Sequence, residues 1–254
     1  MLSAALGPSL SPEGDTRRTI RAGGGALIVG ALSFVALFAF LAARFDYPGI
    51  LDGPADVVLP KLRATGTAGR LAWAIYSLLP LIWIPAGVGA YYALRRTHPG
   101  AMLLGLQAAV VAALSMMLGL MRWPSIHWRL AEFFEHADPA QREAVSAVFD
   151  GLNSFLGNYV GEFLGELSFS TFFLVSSWAL LRSGVVPIWV ALLGLLTGVS
   201  GLVGMLRNMT PAVASVAAVN NYLLPLWMIV LGIVFLRWRN GEERLSPDGR
   251  AERT

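Results

Sequence analysis

Six runs of about twenty apolar residues divide this chain, each long enough to cross roughly 30 Å of hydrocarbon as an α-helix. They fall at residues 24–43, 71–94, 101–121, 155–181, 185–206 and 217–236. In lipid a lone segment can satisfy its backbone N–H and C=O groups only as a helix. The composition agrees: 56% of residues are hydrophobic and 14% charged, where a soluble domain carries charge at about a quarter of its positions. The expected fold is an all-α integral membrane bundle of six transmembrane helices. Pro80, Pro85 and Pro225 lie inside these runs and predict kinks, with neighbouring helices satisfying the freed carbonyls.

The runs divide the chain into a polar leader at 1–21, a transmembrane domain at 22–238 and a polar, charged tail at 239–254. Leader and tail are expected to be disordered and cytoplasmic. No signal-peptide pattern precedes the first run, which is long enough to stay in the membrane. The leader, the turns at 95–100 and 182–184, and the C-terminal end carry 11 of the 19 Lys and Arg residues. The other three loops carry the remaining 8, spread over longer sequence that also holds eight acids. Positive charge in short loops marks the cytoplasmic side, so both termini are expected in the cytoplasm, in a multi-pass protein of a bacterial inner membrane. The bacterial reading rests on arginine supplying 18 of the 19 basic residues, as in a GC-rich genome.

The two longest loops then lie outside. Residues 44–70 mix apolar and acidic residues with prolines. Residues 125–154 show more pattern: Ile126, Leu130, Phe133 and Phe134 recur at helical spacing, and so do Val145, Val148, Phe149 and Leu152. Between them Asp138 offers an N-cap, with Pro139 at the first helical position and Gln141 at the third. This segment predicts an outer cap of amphipathic helices, the second running into the fourth span, with Trp123 and Trp128 at the interface.

The fourth span opens with "GNYVGEFLGELS", residues 157–168. Glu162 and Glu166 are four apart and share a helix face with Asn158. Counting back from Arg182 at the inner face puts Glu162 near the outer boundary and Glu166 one turn deeper. Beside them Gly157, Gly161 and Gly165 form a small-residue strip for close helix packing. A charge within the membrane is expensive and faces the bundle interior or a partner. Arg122, ending the third span, and Arg207, ending the fifth, are the expected partners; Asn208, Arg70, Arg44, Asn220 and Asn221 are also within reach. Asn158, Glu162, Glu166, Arg122 and Arg207 thus form the expected polar cluster. It is either a structural register device or a site for a cation, proton or small polar ligand.

The residues exclude much chemistry. There is no cysteine, hence no disulfide, thiolate metal site or cysteine nucleophile. His98, His127 and His136 are the only histidines, and none is spaced beside the glutamates as di-metal bundles require. His127 is expected at the surface or hydrogen-bonded. No phosphate loop, His-Glu-x-x-His helix or Gly-x-Ser-x-Gly elbow occurs, and no lysine lies within a span. No catalytic residue, metal site or cofactor is assigned, and the reading leans away from an enzyme. The scattered basic residues follow topology and do not indicate nucleic acid.

"RFDYPGIL" after the first span, "GLMRWP" closing the third, "VFDGLNSFLGNYVGEFLGEL" entering the fourth and "LLRSGVVPIWVALLGLL" opening the fifth resemble a group of bacterial membrane proteins, the domain-of-unknown-function family 4386. The resemblance covers roughly residues 24–206. It implies a multi-helix bacterial membrane protein of about this size and assigns no activity or residue role.

Eight tryptophans and the small-residue strips suit a chain that packs against other membrane subunits as well as lipid. The functional expectation is accordingly a partner-binding or assembly subunit of a membrane complex. The alternative is a small transporter or a ligand- or cation-binding membrane protein using the carboxylate cluster. Orientation is directly testable in this cysteine-free chain. Single cysteines replacing Ser3, Thr97 or Thr254 should resist an impermeant external thiol reagent in intact cells, and labelling of Thr97→Cys from outside would reverse the topology.

Overall fold

The computed structural model describes residues 12–238. Residues 1–11 of the expected leader and the expected tail at 239–254 lie outside the described residues. Among the described residues the fold is all-α, and six helices are long and apolar enough to cross a membrane. They are α1 (Pro12–Phe45), α3 (Gly66–Leu94), α4 (Pro99–His136), α5 (Pro139–Ser183), α6 (Ile188–Asn208) and α7 (Pro211–Leu236). The short α2 (Ala55–Ala64) stands between the first two.

Two expectations change. The leader is helical from Pro12, so the polar residues 12–21 extend α1 by nearly three turns instead of forming a disordered tail. Arg17, Arg18 and Arg21 stand on that extension. The loop at 44–70 contains α2, whose Ala55, Val58, Leu59 and Leu62 are buried along one face. Its prolines obscured that pattern: Pro54 precedes the first turn, and Pro60 sits inside the helix.

The six long helices alternate in direction. One end of the bundle carries the short turns after α3 and α5, together with the start of α1 and the end of α7. The other end carries α2 and residues 123–152, and is called the cap end. There α4 and α5 continue past their apolar runs into amphipathic segments. Asp138 caps the start of α5 as the spacing predicts: its side chain accepts from the Gln141 backbone N–H at 2.9 Å, and the Gln141 side chain accepts from the Asp138 N–H at 3.0 Å.

Two apolar cores result. The larger lies within the bundle around Trp83, Phe169, Phe172, Phe173 and Trp227. The smaller lies under the cap, where Phe45, Trp73, Trp123, Trp128 and Phe149 come together. Trp73 and Trp123 stack with centroids 5.0 Å apart. His127 is fully buried here between Trp123 and Phe149, at ring distances of 4.8 and 4.7 Å. Neither of its ring nitrogens has a hydrogen-bond partner among the described residues, so the expected surface or hydrogen-bonded histidine is instead part of an aromatic core.

Helices α4 and α5 each widen from α geometry toward the cap. At Trp123–His127 in α4 and Asn153–Leu164 in α5 the backbone opens into wide π turns; the His127 N–H donates to the Arg122 carbonyl, five residues back, at 2.8 Å. Such turns are rare in helices and concentrate at functional sites. In the same region the backbones of α4 and α5 nearly touch. A Cβ added at Gly161 would lie 2.9 Å from the Gly119 Cα, closer than real Cβ atoms come. Gly161→Val should therefore cost about 1–3 kcal/mol through overpacking, read as a lowered unfolding midpoint in detergent. Gly100→Ala, at a position with nothing within 4 Å, should not. Equal midpoints for the two variants would show that α4 and α5 do not depend on this contact.

Candidate functional site

The wide-turn segment of α5 sets the polar side chains facing α6. Helices α5 and α6 are antiparallel neighbours, so the end of α6 passes the start of the α5 apolar run. The last turn of α6 tightens into a 3₁₀ turn at Met205–Asn208, which presents Arg207 and Asn208 together.

Arg207 bridges both glutamates. Its Nη1 donates to Glu166 Oε1 at 2.6 Å, and its Nη2 lies 3.0 Å from Glu162 Oε2. Nη1 also donates to the Gly204 carbonyl of its own helix at 3.1 Å. Asn208 Nδ2 donates to Glu162 Oε2 at 2.7 Å and approaches the Asn158 carbonyl at 3.3 Å. Asn158 in turn donates from Nδ2 to Asp52 Oδ1 at 3.3 Å, joining the cluster to the exposed rim of the cap. The three charged side chains are largely but not wholly enclosed, with 25% of Glu162, 15% of Glu166 and 27% of Arg207 exposed.

Arg122 stands apart from this triad. It is 5% exposed and has no carboxylate within ion-pair distance among the described residues. Its Nε donates to Asn153 Oδ1 at 3.0 Å, and its guanidinium lies 5.0 Å from the Trp123 ring centre. Nη1 also donates to the Gly119 carbonyl. Gly157 makes the room: a Cβ there would collide with the guanidinium. Asn153 passes the connection on, donating from Nδ2 to the Leu51 carbonyl at 2.9 Å. The three glycines of the strip thus meet three different groups on α4: the Arg122 side chain at Gly157, the Gly119 backbone at Gly161 and Met116 at Gly165. Of the other basic residues expected within reach, Arg70 bonds the Pro124 carbonyl at 3.2 Å and stacks 5.2 Å over Trp128.

A cavity of about 110 Å³ opens between the triad and Arg122. Its wall draws on both cores, with Tyr76 and Trp123 from the cap and Phe169 and Leu224 from the bundle. Tyr47 and Tyr76 also line it, with hydroxyls 3.2 Å apart. Burial holds the Tyr47 phenol above its ordinary pKa, so it is a neutral hydrogen-bonding group. Glu166 and Asn220 complete the lining. Glu166 Oε2 and Asn220 Oδ1 are buried oxygens without a hydrogen-bond partner among the described residues, and Ser170 Oγ, one turn further along α5, is a third such atom. Buried polar atoms are nearly always satisfied; the Ser170 hydroxyl can itself donate, so the cavity lining holds two acceptors without a donor among the described residues, Glu166 Oε2 and Asn220 Oδ1.

The profile of one protein family, described as a domain of unknown function (DUF4386), matches residues 11–232. The chain belongs to DUF4386. The match takes in all six long helices of this DUF4386 chain save the last few residues of α7, and it includes every residue of the triad and cavity. No curated protein matches the chain. No solved structure does either.

The pairing gives an energetic ranking. Arg207→Met would leave two carboxylates facing each other without their counter-charge. It should lower stability by about 2–3 kcal/mol, toward the low end for a broken buried pair because part of Arg207 reaches solvent. Glu166→Gln retains a hydrogen-bond acceptor and should cost less than about 1 kcal/mol. Denaturant titration in detergent gives both numbers, and equal losses would show that the bridge does not hold α6 to α5.

Proposed function

We propose that this DUF4386 chain is a multi-pass membrane protein that binds a small cation, the proton included, at the Glu162–Glu166–Arg207 cluster. One observation carries the reading: Glu166 and Asn220 both line the cavity, and each has a buried acceptor oxygen with no donor. Two carboxylates share a single arginine, so the triad itself has one negative charge in excess when both are ionised, and it faces the Arg122 guanidinium across the cavity. A cavity of about 110 Å³ has room for a few water-sized groups, each occupying roughly 30 Å³. That suits a small ion. Among the described residues no three His, Asp or Glu side chains gather as a metal-ion site, which favours a monovalent ion or proton over a divalent metal. Intramembrane carboxylates commonly mark such paths.

The assembly-subunit reading draws less on the tryptophans. Trp73, Trp83, Trp123, Trp128 and Trp227 are buried inside this chain, so most of its tryptophans already serve its own two cores. With the termini in the cytoplasm, as the basic turns suggest, the cluster would lie toward the outer face, joined to the exposed rim of the cap by the Asn158–Asp52 hydrogen bond.

The test is a thermal-stability titration of purified protein with sodium, potassium or lithium chloride against choline chloride, at constant ionic strength. A bound ion should raise the midpoint saturably, since a ligand at 100 times its Kd adds about 2.7 kcal/mol. If the bound species is the proton, the saturable shift should follow pH instead of salt. Glu166→Gln should abolish whichever response the native protein shows while the variant remains folded. An unchanged response in Glu166→Gln would remove the cation-site reading.

A further inference from the structure

The second feature lies at the opposite end of the bundle and is independent of the carboxylate cluster. A pocket of about 820 Å³ opens there between the start of α1, the end of α3, the start of α6 and the end of α7. This is toward the upper end of the range for small-molecule sites, roughly 300–1,000 Å³. Its floor is aliphatic, with Ile20, Leu94 and Val190 buried and Val230 and Val234 partly so. Its mouth is basic: Arg95, Arg96 and Arg237 line it, and among the described residues no Asp or Glu does.

Two of these arginines are placed to receive a charge. The Arg95 guanidinium sits 4.5 Å over the Tyr92 ring and 5.6 Å from that of Tyr91. This holds it at the mouth by cation–π attraction while leaving its N–H edge open. Neither Arg95 nor Arg237 forms an ion pair among the described residues. Trp189 and Trp238 also line the pocket, and Trp189 is 59% exposed. Tryptophan and arginine at helix ends mark the headgroup level of a bilayer. An apolar slot beneath Arg95 and Arg237 at that depth complements one kind of molecule, with an anionic head and a hydrocarbon tail. Basic pockets between spanning helices bind anionic lipid headgroups by the same physics.

We propose that this pocket is a binding site for an anionic phospholipid of the adjoining leaflet, its phosphate on Arg95 and Arg237 and an acyl chain along Ile20, Val190 and Val234. A free phosphate would leave the aliphatic floor unused, and a zwitterionic lipid would leave the arginines without a net counter-charge.

The experiment uses the full chain, purified in detergent and stripped of lipid. Thermal stability is titrated with phosphatidylglycerol, phosphatidylcholine or inorganic phosphate, and native mass spectrometry counts the lipids retained. Phosphatidylglycerol alone should raise the midpoint, with one molecule retained. Arg95→Gln with Arg237→Gln should weaken its binding about tenfold or more, as expected for the loss of two basic contacts. Both residues are exposed, so the lipid-free midpoint should barely move. Val234→Trp, which fills the slot and keeps the arginines, should abolish retention. Equal stabilisation by phosphatidylcholine would overturn the proposal. So would stabilisation by inorganic phosphate alone, or unaltered binding in either variant. Binding that appears only after residues 1–11 or 239–254 are removed would assign the pocket to the chain's own ends instead.

Discussion

The near-contact of two backbones at Gly119 and Gly161 is the constraint on which the polar half of this protein depends. With no Cβ on either side, α4 and α5 come close enough for Met116 to fill the space at Gly165 and for the Arg122 guanidinium to lie across Gly157. One face of α5 is thereby taken up by α4. The glutamates cannot turn that way, and lipid is costly for a charge, so they face α6. A single side-chain carbon at the crossing would push the helices apart and loosen both arrangements. Close approach through small residues is how spanning helices gain packing without a hydrophobic driving force between them.

The two arginines near the cavity show how depth and chemistry divide labour. Arg207 meets carboxylates and gains charge-assisted hydrogen bonds of 2.6 and 3.0 Å. Arg122 meets an amide, a backbone carbonyl and an indole face. A guanidinium can be held by neutral acceptors because its charge is spread over a planar, weakly hydrated fork. Arg122 therefore serves the packing of the cap through Asn153 and Leu51, while Arg207 serves the carboxylates.

Much of this was legible in the residues, and what was not has definite causes. Apolar run length placed six helices, and Asp138 with Gln141 marked the start of α5. Four-residue spacing put Glu162 and Glu166 together. The depth count brought Arg207 and Arg122 to the same level, but it could not separate a residue ending in a 3₁₀ turn beside α5 from one folded back over a glycine. The wide turns of Asn153–Leu164 left no sign in the apolar periodicity, which reads the same through them. They also bring Asn153 into the group, five residues before Asn158, where α-helical spacing gave no reason to look. His127 was misjudged for a related cause: one helix's periodicity cannot show that Trp123 and Phe149 close over the ring from two directions.

The length of α1 has a consequence for how the whole molecule sits. At 1.5 Å per residue its 34 residues span roughly 51 Å, against a hydrocarbon thickness of about 30 Å. The excess lies at the uncapped end, where Thr19 and Ile20 still pack against Gly89 of α3, so the turns carrying Arg17, Arg18 and Arg21 run alongside the end of that span. Hydrophobic mismatch is usually absorbed by tilt or local thinning, but three arginines on a rigid rod resist being drawn into oil. The first helix therefore acts as a depth gauge. A thinner or thicker bilayer would be met by the membrane adjusting around it, and the level of both ends of the bundle would be set from this one rod.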